Sequence, residues 1–416
     1  MELCKKVSKA LGHHAVEMQD DEKRNLYQKQ WGKWTARNYR ENVIKDAMSV
    51  EPIPTSAAHF DSDPYLFNCI NGTLDLRSMT FHDHAPDDML TKTSGVQYNP
   101  EARCPRWEQF IDEITCGDKT LGRYIQKALG YALTGITNRE CLFILYGATT
   151  RNGKGTLCET MLKLMGDYGK TASPETLAQR KYKDSRGPTE DIARLAGARF
   201  VNMSEPDKSM VFNAALLKTL TGGDTISARF LNEQSFEFKP QFKIFINTNH
   251  LPRVDDSTVF SSGRIILIPF NRHFDEQERD PNLKATLTTS EALSGILNWC
   301  IQGYKSLAID GLQAPQCVIE QIEGYKDTSD KTGQFIEDCL DRAPNGEVTI
   351  GDLYARYSMW CPNNGCYCEG KTAFTNALRS AGLNVQFKRP ASEHSNPNAT
   401  KKQIISGYVL RPVKYI

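Results

Sequence analysis

Apolar positions change their spacing several times along the chain, and each change marks a different kind of element. Residues 1 to about 50 are charged, with apolar side chains returning at helical intervals. This predicts amphipathic helices with Trp31 and Trp34 as packing anchors. From about 51 to 100 the texture is turn-rich, with EPIPTS, DSDP and NGTLDL breaking up short strand-like runs. PRWEQFIDEI and LGRYIQKALGYALTG, within 105–137, return to helical spacing. Between about 138 and 275 short apolar runs alternate with helical stretches. CLFILY (141–146), ARFVNMS (198–204), QFKIFINTN (241–249) and RIILIPF (264–270) read as buried strands, and TLCETMLKLMG (156–166) reads as a helix ending at Gly166. Such an order predicts an α/β fold with a mainly parallel sheet. Residues 290–330 are again helical in pattern. After the polar break DTSDKTGQ come helices in GQFIEDCL, IGDLYARYSMW and KTAFTNALRSAG, then a basic, turn-rich segment and the strand ISGYVLRPV, an order that suits a winged helix.

Composition narrows the classes. The chain has 416 residues, enough for two to three domains. Lys plus Arg number 51 against 50 Asp plus Glu, so the net charge of +1 excludes a globally basic coat, and any nucleic-acid contact is a local patch. No apolar run reaches the roughly 18 residues that span a bilayer, which predicts no membrane association. The start, MELCKKVSKALGHHAVEM, lacks the apolar core of a secretory signal. The 12 cysteines are scattered, as expected of reduced thiols. Cys361, Cys366 and Cys368 are spaced C-x4-C-x-C with no histidine close by, which favours free thiols over zinc. His82, Asp83, His84, Asp87 and Asp88 read as a polar loop rather than a metal site, because no second cluster faces them.

The strongest chemical signal is YGATTRNGKGTL, residues 146–157. A buried strand feeds a glycine-bearing loop, and Lys154 opens a helix. Phosphates call for backbone N–H groups at a helix start, glycines that let the backbone approach, and a lysine charge. The match to G-x4-G-K-[ST] is offset. Five residues separate Gly147 from Gly153, Gly155 stands where a hydroxyl is usual, and Thr156 is the first hydroxyl and the candidate Mg2+ ligand. The competing reading is a structural glycine turn. Three later residues favour the nucleotide reading. Glu205 lies just past an apolar strand, where a carboxylate holds Mg2+ or orients water, or starts a helix ahead of Pro206. Asn249 ends a strand as a γ-phosphate sensor or as a turn-forming residue. Arg264 starts a strand as an arginine acting on a neighbour's ATP or as a salt-bridge partner.

Together these motifs resemble superfamily 3 helicases, specifically the phage/plasmid and poxvirus primase-helicase group, over about residues 65–275. The most specific part is LKTLTGGDTISARFL (217–231) followed by FEFKPQFKIFINTNHLP. The resemblance implies an AAA+-like ATPase core using ATP and Mg2+. Gly147, Asn152, Gly153, Lys154, Gly155 and Thr156 would form its phosphate loop. Glu205 would be its acidic residue, with Asp207 as a second carboxylate, and Asn249 its sensor. Arg264, or alternatively Arg253, would be its arginine finger. Lys218, Asp224 and Arg229 match the inserted motif that leads to a DNA-contacting hairpin. The implied assembly is a homo-oligomeric, hexameric ring on single-stranded and forked DNA, in a host cytoplasm if phage-encoded, beside a separate primase or polymerase. The DSD at 61–63, which superficially resembles a polymerase metal pair, is expected to be a turn. The expected organisation is a helical/mixed helicase-associated domain at 1–120, the ATPase core at 121–290, a helical linker at 291–332 and a winged-helix-like domain at 333–416. Further DNA contacts are expected from the basic loop Lys181, Lys183 and Arg186, and from Lys371, Arg379, Lys388, Arg389, Lys401 and Lys402. The competing functions are an ATP-regulated initiator or loader without processive unwinding, and a plain P-loop kinase, which the inserted motif and winged helix disfavour.

Overall fold

The computed structural model describes residues 2–50, 55–56, 59–179, 189–208, 210–256, 258–364, 368–388 and 400–412. Lys181, Lys183, Arg186, Cys366 and Arg389 lie outside the described residues. The chain divides into two units, residues 1–62 with 86–91, and residues 63–85 with 92–416.

The first unit carries helices α1 (Glu2–Glu17), α2 (Asp21–Thr35) and α3 (Arg37–Ala47). Asp20 caps α2 by accepting from the backbone N–H groups of Glu22 and Lys23 at 3.0 and 3.2 Å. Trp34 meets Tyr39 edge-on at 5.7 Å, while Trp31 stays 43% exposed.

The second unit opens with an antiparallel sheet, β1 (Leu66–Cys69), β2 (Gly72–Asp75) and β3 (Thr80–His82). Helices α4 (Pro105–Ile114) and α5 (Lys119–Ala132) follow. Then comes the central alternation: β4 (Leu142–Tyr146), α6 (Lys154–Met165), β5 (Gly169–Ala172), α7 (Glu190–Ala193), β6 (Phe200–Ser204), α8 (Ala214–Thr221), the hairpin β7 (Ile226–Ala228) and β8 (Phe236–Phe238), β9 (Lys243–Thr248), α9 (Thr258–Ser261) and β10 (Ile265–Pro269). Five of these strands form one parallel sheet in the order β10-β4-β9-β6-β5. Period-2 geometry splits its side chains between two cores. Phe143, Leu145, Phe200, Phe245 and Ile268 join the residues of α4, α5, α6 and α11 (Ser290–Asp310, after the short α10, Leu283–Leu287). Leu142, Ile144, Val201, Met203, Ile244, Ile246 and Leu267 pack with α8, α9 and Tyr325. Covering both faces is why these strands read as continuous apolar runs. The edge strand β5, sequence GKTA, is only partly buried and has no such signature.

Two buried cations fasten α5 and the start of β1 to the amino end of this sheet. Arg199, 1% exposed, donates to the carbonyls of Leu133 at 2.7 Å and Leu66 at 2.8 Å. Lys243, also 1% exposed, donates to Ile136 and Gln241 carbonyls at 3.2 Å and closely to that of Thr134. Burial holds its pKa well below the usual lysine value.

The chain continues through α12 (Gln316–Ser329), α13 (Lys331–Cys339), β11 (Leu340–Thr349), α14 (Ile350–Asn363), α15 (Lys371–Ser380), β12 (Val385–Lys388) and β13 (Lys402–Leu410). The strands form an antiparallel sheet, β11-β13-β12. Phe335, Tyr357, Trp360 and Phe374 fill the core beneath it. Glu369 accepts closely from Lys331 and from the Tyr357 hydroxyl, joining α13 and α14. Strand β11 was not foreseen, because its register shifts between Arg342 and Glu347 across the turn-like residues Ala-Pro-Asn-Gly.

Candidate functional site

The site forms at the carboxyl ends of β4, β9 and β6, where ligands gather in open parallel sheets. Tyr146, the last residue of β4, pairs with Thr248 of β9 and Pro269 of β10. The chain then turns sharply. Gly147 donates to the Thr248 carbonyl at 3.3 Å, and a Cβ on it would lie 2.4 Å from the Phe270 carbonyl oxygen. Gly153 caps α6 at φ +88°, and a Cβ there would lie 2.4 Å from Ile114 Cγ2. Glycine is required at both positions, by close approach at the first and by a left-handed backbone as well at the second.

Lys154, only 4% exposed, donates to Asn249 Oδ1 at 2.8 Å, Asn152 Oδ1 at 3.0 Å and the Gly147 carbonyl at 3.4 Å. Burial lowers its pKa from 10.5 to about 8, and the negative charge of Glu205 works against that fall. Asn152 is 3% exposed and ties the loop to itself by donating to the Thr149 carbonyl at 2.6 Å. Glu205 is exposed one residue past β6 at φ +54°, its N–H bonded to the Asn247 carbonyl at 3.0 Å. No helix starts at Glu205, because α8 begins only at Ala214. The structure thus brings Lys154, Asn152, Asn249 and Glu205 to one place from three separate stretches of sequence.

Thr156 stands half-buried on the first turn of α6, while Gly155 beside it faces open space. A threonine hydroxyl and a carboxylate are hard oxygen donors, the set that Mg2+ takes together with phosphate oxygens and water. Among the described residues, no three His, Cys, Asp or Glu side chains gather to hold a metal by themselves.

Two supporting features escaped the sequence reading. Asn247 Nδ2 donates to Ser204 Oγ at 2.6 Å, and Asn202 Nδ2 donates to the same oxygen at 3.1 Å. This polar ladder lies inside otherwise apolar strands, and those interruptions were its signal. The second feature is a strap at 270–274. Phe270 N–H donates to the Tyr146 carbonyl, Phe274 N–H to that of Arg151 at 2.9 Å, and His273 Nδ1 bonds the Thr150 carbonyl at 2.8 Å. Nothing in RIILIPFNRHF marks that role.

Arg264 is not gathered with these groups. Its carbonyl accepts from Leu142 N–H, at the amino end of β4, so a strand length of about 16 Å separates it from the loop. Its guanidinium pairs with Glu140 at 2.7 Å and donates to Thr221 Oγ1 at 2.9 Å and the Lys218 carbonyl at 3.2 Å. It thereby closes the last turn of α8. Arg253 pairs through its backbone with Met210 and Phe212. Lys218 is ion-paired with Asp256 at 2.7 Å and also donates to Thr258 Oγ1. Arg229 precedes the turn of the β7–β8 hairpin, where Phe230 and Phe236 stack at 5.8 Å, and Asp224 is exposed ahead of it. In the C-terminal part Lys388 is ion-paired with Glu347 and lies opposite Lys402 in the register, while Lys401 and Lys371 are exposed. Arg379 donates to Asn376 at 2.9 Å. Among the described residues no helix is long and apolar enough to cross a membrane.

A parallel-sheet α/β domain flanked by helices, with a buried lysine on a glycine turn at the carboxyl ends of its strands, is a helicase-like arrangement. Comparison with known proteins agrees. A family profile described as D5 N terminal like matches residues 2–116, and that of a family of unknown function, DUF5906, matches residues 145–264. Viral relatives include the candidate helicase L207/L206 of Acanthamoeba polyphaga mimivirus, 27% identical over 90% of this chain and 40% of that protein. The candidate helicase 022R of Frog virus 3 is 24% identical over 78% of this chain and 41% of that protein. The chain spans about two-fifths of the length of these curated relatives. It is therefore related to viral helicase domains of the D5 type, broadly like superfamily 3. A solved apo structure of the NrS-1 C-terminal region (305–718) covers 75% of this chain and 77% of its own at 12% identity, but its TM-score of 0.47 is too low to bear on function.

Proposed function

We propose that the chain is the ATP-driven motor of a DNA helicase from a virus or mobile element, of the superfamily 3 type with an AAA+-like core, working as a ring on single-stranded and forked DNA. The observation that carries this is the Lys154 ammonium, buried at the tip of β4 and shared between Asn152 and Asn249, with the Glu205 carboxylate in electrostatic reach. Entry of a triphosphate gives the ammonium stronger acceptors than the two amide oxygens, and Asn249 is freed when they take over. Backbone N–H groups at the start of α6 add their partial positive charge. Glu205, held at its strained position, orients the attacking water. Thr156 and Glu205 are the residues that would hold Mg2+, whose chemistry is to neutralise charge on the β- and γ-phosphate oxygens.

The DNA side of the reading rests on the β7–β8 hairpin with Arg229, on the basic loop Lys181, Lys183 and Arg186, and on Lys371, Lys388, Arg389, Lys401 and Lys402 of the C-terminal module. Hexameric assembly, a partner primase or polymerase, and the module boundaries 1–120, 121–290, 291–332 and 333–416 belong to the same proposal. A trans role for Arg264 would require its bonds to Glu140 and α8 to open. The test is ATP hydrolysis with and without single-stranded DNA, followed by strand displacement on a fork. Wild-type protein should hydrolyse ATP faster with DNA and displace the strand, and Lys154→Ala should do neither while staying folded. A folded wild-type chain that neither binds nor cleaves ATP beside single-stranded DNA would reject the proposal. DNA-stimulated hydrolysis without unwinding would favour the loader.

A further inference from the structure

We infer that Arg151 is a second phosphate-binding cation, contacting the phosphate chain of ATP held on its own loop; this rests on the nucleotide reading above and extends it. Arg151 lies three positions before Lys154, on the exposed stretch of the lysine loop. Its backbone is left-handed, at φ +58°. Side chains other than glycine avoid that region, and glycine occupies it freely. The strap fixes this conformation from outside: Phe274 N–H holds the Arg151 carbonyl, and His273, through Nδ1, holds the carbonyl just before it. The strap is itself braced by Arg272, which lies over the Phe274 ring at 5.2 Å and is ion-paired with Glu278.

The cations of the loop and the strap are committed: Lys154 is buried among three oxygens and Arg272 pairs with Glu278. Arg151 is exposed, and among the described residues its guanidinium has neither a hydrogen bond nor an ion pair. A triphosphate carries more negative charge than one lysine neutralises, and with Gly155 in place of a hydroxyl residue the helix start has one donor fewer to offer. A planar guanidinium presents paired N–H donors that match phosphate oxygens. The pinned left-handed turn fixes the point at which this side chain leaves the loop.

The test compares Arg151→Ala, Arg151→Gly and Arg151→Lys with wild type and Lys154→Ala. Binding of ATP and ADP is measured by calorimetry at low and moderate salt, and folding is checked by thermal melting. Glycine relieves the backbone, so Arg151→Gly is the variant that separates charge from strain. ATP affinity should fall about tenfold or more in both Arg151→Ala and Arg151→Gly, with part of it recovered in Arg151→Lys and a shallower salt dependence in the variants lacking the charge. Wild-type affinity in Arg151→Gly overturns the inference, whether or not alanine weakens binding, because the side chain would then contribute nothing. If wild type binds ATP and Lys154→Ala does not, the nucleotide reading stands whatever Arg151 does. If wild type fails to bind ATP, both fall.

Discussion

Nucleotide binding should draw a proton from solvent, and the lysine loop fixes how many and at what pH. Lys154 has exchanged water for Asn249, Asn152 and the Gly147 carbonyl, none of which carries a full charge. The fall from 10.5 to about 8 corresponds to about 3 kcal/mol of lost preference for the ammonium. In the free protein the side chain is therefore neutral in about one molecule in ten at pH 7, about half at pH 8 and about nine in ten at pH 9. A phosphate chain restores the preference for the charged form, so binding at pH 8 should take up about half a proton, and more as the pH rises. Affinity should be flat below about pH 8 and then drop about tenfold for each pH unit above it. The effect on folding has the opposite sense. Between about pH 8 and 10.5 the unfolded chain binds more protons at this lysine than the folded one, so its burial penalty fades and its contribution to stability rises with pH. The assay is ATP titration by calorimetry in two buffers of different ionisation enthalpy from pH 7.5 to 9, a range in which the nucleotide's own phosphate is already deprotonated. Lys154→Arg, which cannot lose its proton, should show no uptake. Tight wild-type binding with no buffer-dependent heat across that range would refute the argument.

Three further outcomes follow from the same geometry. Gly147→Ala forces a Cβ against a backbone carbonyl at 2.4 Å, so it should abolish ATP binding and lower the melting temperature by several degrees; pairing it with a truncation at Ile114 should restore nothing, because Ile114 crowds Gly153 instead. Gly155→Ser enters open space at the position where a hydroxyl is usual, so the protein should fold normally and reach half-maximal ATPase at a lower Mg2+ concentration; an unchanged Mg2+ titration would remove position 155 from the cation's surroundings. Arg264→Ala should destabilise the fold by about 1–2 kcal/mol in urea titrations, since it strips the last turn of α8 of its cap as well as breaking an ion pair. If its stability is unchanged, and mixing with wild-type subunits restores its ATPase, the arginine belongs to the neighbour's site and not to its own helix.

The central sheet was legible because both its faces are covered. Strands buried on two sides need largely apolar runs, and CLFILY, ARFVNMS, QFKIFINTN and RIILIPF supply them for β4, β6, β9 and β10. Edge strand β5 carries no such run, and β11 passes through Pro and Gly at its irregularity, so neither stood out. The meeting of Lys154 with Asn249 follows from topology, because in a parallel sheet the residues just past each strand share one end. The same rule sends Arg264, which precedes its strand, to the opposite end. What no periodicity reveals is support from ordinary residues. The strap acts largely through main-chain N–H groups, and the Asn202–Ser204–Asn247 ladder consists of side chains whose spacing has no special meaning until the strands are adjacent.

Beyond Asn249 the backbone has little slack. The Pro252 carbonyl is held by the Tyr325 hydroxyl of α12, and Arg253 is laced to Met210 and Phe212 beyond β6. Asp255 lies in the field of Lys331 and Glu369, and Asp256 grips Lys218 on α8. A tether anchored at nearly every residue cannot absorb a tug at one end. On the proposed function, an ammonium that traded its amide for a phosphate would pass the displacement along this tether, to the helix leading to the β7–β8 hairpin or to the threshold of the C-terminal module, the two places proposed to meet DNA.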